Sequence, residues 1–338
     1  MKEDEVKLGI SDNTDIENRP LSASSISTYL KCPMQWYFRY IEGKRIPPNG
    51  VMYLGTQWHK MAEDNYTQKV KTKKDRALNH MKEFFAASFD LGLKNTEVVF
   101  ENGAKEKGEL KDRGVVITGL YGTKISPTVQ PLYVEEKFLI KVEGAHKELT
   151  GFWDVLDNKG YVRDNKSKSK CPGQNDVDNN LQLSIYSLAY RTMFKKKETG
   201  LTLDCAISTK VPYVEIMRTT RTNNDVADIT RVILGVEKAV KTGIFYPKSD
   251  GWHCSEKWCG FWYLCKGRLM ENKDKYICPG KDKCKRKICL HAKPHKREAH
   301  CFGGACYTIR NFIANTPPVI LAASPSLVCV KIKGEKKK

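Results

Sequence analysis

Apolar residues recur along this chain with two periods, one near 3.6 and one of 2, and their order sketches a fold. Residues 21–41, LSASSISTYLKCPMQWYFRYI, open with serines able to cap a helix, Ser22, Ser24 or Ser25, and Pro33 interrupts that helix. Trp36, Tyr37 and Tyr40 are spaced for a further helical turn against a core. Residues 55–69 (GTQWHKMAEDNYTQK) and 74–93 (KDRALNHMKEFFAASFDLGL) read as two helices inserted ahead of a sheet. Strand-like runs follow at 132–142 and at 147–157 with 161–168, the last two forming a hairpin about Asp157-Asn158-Lys159-Gly160. Residues 179–196 regain helical spacing, with Leu181, Ile185, Leu188 and Ala189 on one side. Residues 205–220 return to strand, and 223–243 form an amphipathic helix. The order predicts an α/β core over residues 21–270, a central mixed sheet flanked by helices, after a disordered N-terminus at 1–20.

Composition narrows the class. The 338 residues carry 58 Lys/Arg against 39 Asp/Glu, a net charge of +19, which suits a polyanionic partner. The excess is concentrated at the end, where residues 266–338 hold 18 basic against 5 acidic side chains. No apolar run approaches the roughly 20 residues of a membrane-spanning helix. The polar N-terminus resembles neither a signal nor a transit peptide, so an intracellular, cytoplasmic protein is expected. Nine of the twelve cysteines crowd into Cys254–Cys329, and in such a protein clustering of this kind points to metal or cluster ligation over disulfides.

Four spacings carry chemistry. Asp154 and Asp164 lie in the two arms of the expected hairpin, which would bring two hard oxygen ligands together for Mg²⁺ or Mn²⁺. Lys166 follows Asp164 by two, on the same strand face, where an ammonium beside a metal-holding carboxylate serves phosphodiester hydrolysis. Gln182 and Tyr186, spaced i,i+4 on one helix face, could hold a phosphate or the lysine. His59, four residues after Gly55, places an imidazole near a helix start as a third ligand.

The ordered set G-x-x-x-H, G-x-x-D, D-x-K, Q-x-x-x-Y resembles the PD-(D/E)XK nuclease superfamily, in its RecB-like exonuclease branch. That branch includes the AddB nuclease domain and the iron–sulfur nucleases of CRISPR adaptation. The similarity covers residues 21–268, including the serine-rich start followed by Cys-Pro and aromatics. It implies a restriction-endonuclease-like core in which His59, Asp154 and Asp164 bind the metal, Lys166 is catalytic, and Gln182 and Tyr186 support the site. Asn165 departs from the family, which often has tyrosine or another hydrophobic residue at the middle of D-x-K. Cys254-x4-Cys259-x5-Cys265 with the distant Cys32 resembles the [4Fe–4S] set of the same branch, structural zinc on those four thiolates being the alternative.

A second soft-ligand group lies outside the resemblance. Cys278, Cys284, Cys289, His291, His295, His300, Cys301 and Cys306 fall within 29 residues and suit tetrahedral Zn²⁺. The expected domains are therefore a nuclease domain at 21–270, a small Cys/His-rich appendage at 271–310 and a basic tail at 311–338. The expected activity is metal-dependent hydrolysis of DNA, exonucleolytic by resemblance, in recombination, repair or replication within a bacterium or phage. A helicase or a single-strand annealing or binding protein is the expected partner class. The competing readings are a catalytically silent DNA-end-binding module and an RNA-binding protein with structural metal sites.

Overall fold

The computed structural model describes residues 19–266 and the strands at 292–295 and 298–301. Expectations for residues 1–18, for Cys278, Cys284, Cys289, His291 and Cys306, and for the basic tail lie outside the described residues. The described residues divide into two compact units, residues 19–43 with 47–245, and residues 44–46 with those described from 246 onward.

The first unit opens with β1 (Leu21–Ser22) and α1 (Ala23–Lys31). Of the three candidate serines, Ser22 caps the helix: its hydroxyl accepts from the Ser25 N–H at 3.2 Å, and the Ser25 hydroxyl accepts from the Ser22 N–H at 2.9 Å. Pro33 ends that segment and starts α2 (Pro33–Trp36), which runs into a π-helical turn at Tyr37–Ile41. Three long helices follow, α3 (Gly50–Thr72), α4 (Leu78–Asn95) and α5 (Gly103–Lys124). Periodicity does not announce α5, because it carries glycines at 103, 108, 114, 119 and 122, each costing about 1 kcal/mol of helix propensity. Packing explains two of them. A Cβ on Gly114 would stand 2.0 Å from Phe85 Cζ, and one on Gly122 would stand 2.8 Å from Leu78 Cδ1, so they let α5 approach α4 closely.

The sheet contains β2 (Pro131–Lys141), β3 (Glu148–Asp157), β4 (Tyr161–Lys168), β5 (Gly200–Ile207) and β6 (Tyr213–Thr219), with α6 (Gln174–Asp178), α7 (Leu181–Phe194) and α8 (Asn223–Lys241) between or after them. β2 pairs antiparallel with β3, β4 runs parallel to β5, and β5 pairs antiparallel with β6. The sheet is thus mixed, as its sequence pattern predicts. Residues 205–220, read from the pattern as one return to strand, belong to two strands in register from Leu201↔Thr219 to Ile207↔Tyr213. The reversal falls at 208–212, Ser-Thr-Lys-Val-Pro, where three polar residues and a proline break the strand pattern.

Helices cover both faces of this sheet. Trp153, Leu183, Leu201 and Ile233 belong to one buried cluster, formed with α1, α7 and α8. Leu54, Trp58, Phe85, Tyr121, Val155 and Ala206 belong to another, formed with α3, α4 and α5. The second unit, taken by itself, holds an edge-to-face pair, Trp252 and Trp258, with centroids 5.6 Å apart. It also holds α9 (Trp262–Lys266) and the hairpin of β7 (Ala292–His295) with β8 (Glu298–Cys301), on which His295, His300 and Cys301 fall. No helix among the described residues is long and apolar enough to cross a membrane.

Candidate active site

The site begins where β3 and β4 part. Asp157 Oδ1 accepts from the N–H groups of Lys159 and Tyr161, each at 2.9 Å, and Gly160 turns at φ +80°, which closes the hairpin as expected. The two strands then pair at Leu156↔Val162 and Val155↔Arg163. β1 pairs with β3 at Leu149 and Thr150, while β2 runs along the other edge of β3, so residues 151–154 face an opening between β1 and β4. At the fork the Asn165 N–H donates to Asp154 Oδ2 at 2.9 Å in place of a ladder bond. Asp154 and Asp164 therefore sit across one gap, both buried. Gly151, the glycine of G-x-x-D, has a steric reason: a Cβ there would lie 2.4 Å from the Phe138 ring.

α3 supplies His59, whose Nδ1 is 3.5 Å from Asp154 Oδ2. The helix starts at Gly50, capped by the Asn49 side chain on the Met52 N–H at 2.8 Å. His59 accordingly lies in the third turn, not near the helix start that its spacing suggested. α7 supplies the other wall. Gln182 Nε2 donates to Asp164 Oδ1 at 3.1 Å and to the Tyr186 hydroxyl at 2.8 Å, and that hydroxyl donates to the Phe152 carbonyl at 2.6 Å. Gln182 thus braces the carboxylate, whereas Lys166 makes its own contact, Nζ to Asp164 Oδ1 at 2.8 Å. The lysine side chain is 28% exposed, so its remaining donors can reach an incoming group.

One acid escaped the sequence reading. By the register on either side, Val134↔Val155 and Glu136↔Trp153, Glu135 stands across from Asp154. Its backbone is left-handed, φ +48°, an unusual state for glutamate that strains the chain at this point. Ligand atoms of His59, Glu135 and Asp154 lie within 4.8 Å of one another. The available signal was a pair of acids, Glu135-Glu136, in a strand otherwise set by its apolar residues, but nothing local aims either one at Asp154. Glycine at 135 is expected to raise the metal-free unfolding free energy by about 1 kcal/mol through relief of the left-handed backbone. It should also weaken Mn²⁺ binding about tenfold. Denaturant melts and Mn²⁺ titration check the two signs, and a stability loss with unchanged affinity would count against this role.

Electrostatics favour a cation here. Burial pushes the Glu135 carboxyl up to about 7, helped by Asp154, Glu63 and Asp164. Burial raises Asp164 to about 6 against the pull of Lys166, with Asp154 adding to the rise. Burial also raises Asp154. His59 is driven down to about 4 by burial and by Lys166, so its imidazole is neutral and able to ligate at neutral pH. Asp164 Oδ2 is buried with no hydrogen-bond partner among the described residues, a costly state that a bound cation would relieve. One imidazole with two or three carboxylates is a donor set fitted to Mg²⁺ or Mn²⁺.

A pH dependence follows with a definite sign. Raised carboxyl values mean that the metal-free fold keeps protons which the unfolded chain releases, so its stability declines as pH rises through these values. A divalent cation competes with the same protons. The rise in melting temperature on adding Mn²⁺ is expected to be larger at about pH 8 than at about pH 5.5. His59 is neutral in the fold at both and so adds no slope to metal binding. Its protonation in the unfolded chain at about pH 5.5 makes the metal-free fold gain stability as pH rises toward 6.5, opposite to the carboxyls. Equal shifts at the two pH values would contradict this.

Cys32, at the C-terminal cap of α1, is buried within the first unit, while Cys254, Cys259 and Cys265 belong to the second.

A mixed sheet whose central strands fork around two carboxylates, with a lysine two residues beyond one of them, defines a nuclease of restriction-endonuclease-like fold. The chain belongs to the PD-(D/E)XK nuclease superfamily, whose family model matches residues 20–266. Among solved structures it is similar to a protein of Eubacterium rectale named as a candidate exonuclease, at 10% identity and TM-score 0.47, covering 70% of this chain and 86% of that one. It is also similar to the protein SSO0001, at 16% identity and TM-score 0.29, over 67% and 88% of the two chains. With TM-scores below 0.5, neither neighbour bears on the chemistry. No curated protein sequence matches the chain.

Proposed function

We propose that this nuclease is a divalent-metal-dependent deoxyribonuclease of the RecB-like branch, acting from DNA ends in recombination, repair or replication. The observation that carries the reading is the convergence of His59, Glu135, Asp154, Asp164 and Lys166 at one fork, with one Asp164 oxygen left unpartnered. His59, Asp154, Asp164 and Glu135 would hold Mg²⁺ or Mn²⁺. When bound, such an ion supplies Lewis-acid polarisation of the phosphate and a more acidic water. Lys166, kept charged because Asp164 and Asp154 outweigh its burial, offers its free donors to the charge developing on the phosphate. Gln182 fixes Asp164 Oδ1, the other oxygen has no hydrogen-bond partner among the described residues, and Tyr186 fixes Gln182.

Further parts of the proposal rest on sequence. Cys32, Cys254, Cys259 and Cys265 ligate a [4Fe–4S] cluster, and the Cys/His-rich segment at 271–310 binds Zn²⁺ ahead of a basic tail at 311–338 that contacts DNA. A helicase or single-strand-binding protein is the partner class, inside a bacterial cell, host or phage-encoded. The test is digestion of end-labelled linear and circular DNA with Mn²⁺, using anaerobically purified protein whose iron and zinc are measured. Linear DNA should be degraded and circles spared. A circle cut as fast as linear DNA removes the end-dependence, and protein without iron removes the cluster.

A further inference from the structure

Asn165 is where the D-x-K strand departs from an apolar residue, and the residue is 3% exposed. A buried amide needs partners, and this one has a defined partner. The Tyr121 hydroxyl of α5 donates to Asn165 Oδ1 at 2.7 Å. The Tyr66 hydroxyl of α3 lies 2.8 Å from that of Tyr121. Because Tyr121 spends its single proton on Asn165, Tyr66 must be the donor between the two phenols. Both rings are buried, Tyr66 at 1% and Tyr121 at 0% exposure. Tyr121 is held further by Trp58, edge to face at 4.9 Å, the residue next to His59 on α3.

The other side of Asn165 faces the site. Its N–H donates to Asp154 Oδ2 at 2.9 Å. The residue therefore holds a candidate ligand, Asp154, through its backbone N–H, while its side chain is tied to a phenol on a helix that supplies no ligand. A hydrophobic residue at this position would be located by packing. An asparagine, with a polar end in an apolar layer, is located by its hydrogen bond.

We propose that Tyr121 is a positioning residue of the nuclease site, holding Asn165 so that its backbone N–H sets Asp154 for a divalent cation. The inference rests on the metal-dependent reading above. Tyr66 backs Tyr121 and has no contact of its own with Asn165 among the described hydrogen bonds, so the two phenols should differ in function while resembling each other in structure.

The experiment is Mn²⁺ titration of the metal-free protein by electron paramagnetic resonance, with melting temperatures and steady-state cleavage, for wild type, Tyr121→Phe, Tyr66→Phe, Asn165→Leu and the Tyr121→Phe/Asn165→Leu double variant. Tyr121→Phe is expected to weaken Mn²⁺ binding about tenfold and lower kcat by a similar factor, with KM for DNA unchanged. Tyr66→Phe should lose about as much melting temperature and less than about threefold in affinity. The double variant should bind no worse than the weaker single one, since both changes break one bond. Tyr121→Phe binding within about twofold of wild type, or both phenylalanine variants losing affinity equally, would overturn the positioning role. A wild-type protein that binds no Mn²⁺ would instead remove the metal-dependent reading, and this inference with it.

Discussion

Alanine at Asp164 is expected to lower DNA cleavage by about a thousandfold or more while leaving DNA affinity within a few-fold. The size follows from what the residue holds. Asp164 receives Lys166 at 2.8 Å and Gln182 at 3.1 Å on one oxygen, and its other oxygen is buried without a hydrogen-bond partner among the described residues. Its loss would remove a candidate ligand and release the lysine together. DNA affinity should persist because it comes mainly from the basic surface, so it must be compared at one stated salt concentration. Asp164→Asn separates chemistry from folding. Burial makes the charged carboxylate unfavourable in the metal-free state, so the isosteric amide should melt no lower than wild type without metal and still fail to cleave. Single-turnover rates at saturating Mn²⁺ check both variants. Cleavage retained within tenfold by either clean variant would end the assignment.

The second large effect is on stability. Arg163 lies between Val162 and Asp164 and is buried against the opposite helical layer. Its Nε donates to Asp157 Oδ2 at 2.9 Å and its Nη1 to Asp204 Oδ2 at 2.8 Å. Side-chain exposures of 7% for Arg163 and 1% for each aspartate leave little solvent to screen the triad. Replacing Arg163 by methionine keeps much of the volume and strands two buried carboxylates, at a cost of about 3–5 kcal/mol. In a chain of this size that corresponds to a fall in melting temperature of roughly 10 °C. Adding Asp204→Asn to Arg163→Met should recover part of the loss, because one of the stranded charges is then gone. A loss under about 1 kcal/mol in urea would show that the triad is replaceable by packing. The triad also ties β4 to β5 and to the hairpin turn, so it fixes the base of the fork from which Asp164 projects.

Much of the region around the fork is legible in sequence because its signals are local. The turn at Asp157–Gly160 announces the hairpin, D-x-K puts two side chains on one strand face, and Q-x-x-x-Y puts two on one helix face. Gly151 has a steric cause that the motif only hints at, the Phe138 ring. Gly55 has none of that kind: a Cβ there would meet Ser167 Cβ at 3.9 Å, an ordinary contact. The helix α5 was hidden because its glycines serve packing against α4 at the expense of propensity.

The sequence by itself determined the nuclease class and the mixed α/β order, and it singled out the polar residues that the structure gathers at the fork, since these depend on residue types at short, fixed spacings. Tertiary structure alone decided that Glu135 stands across from Asp154, that Tyr121 governs Asn165, and that Arg163 binds Asp157 and Asp204 together. Glu135 reaches the site through strand register and a left-handed backbone, Tyr121 from a helix position 44 residues upstream of Asn165, and Asp204 through a parallel crossover that sets it 41 residues from Arg163. Periodicity reports which way a side chain points from its own element. It does not report which element will lie opposite, because that is settled by burial and pairing summed over the whole core.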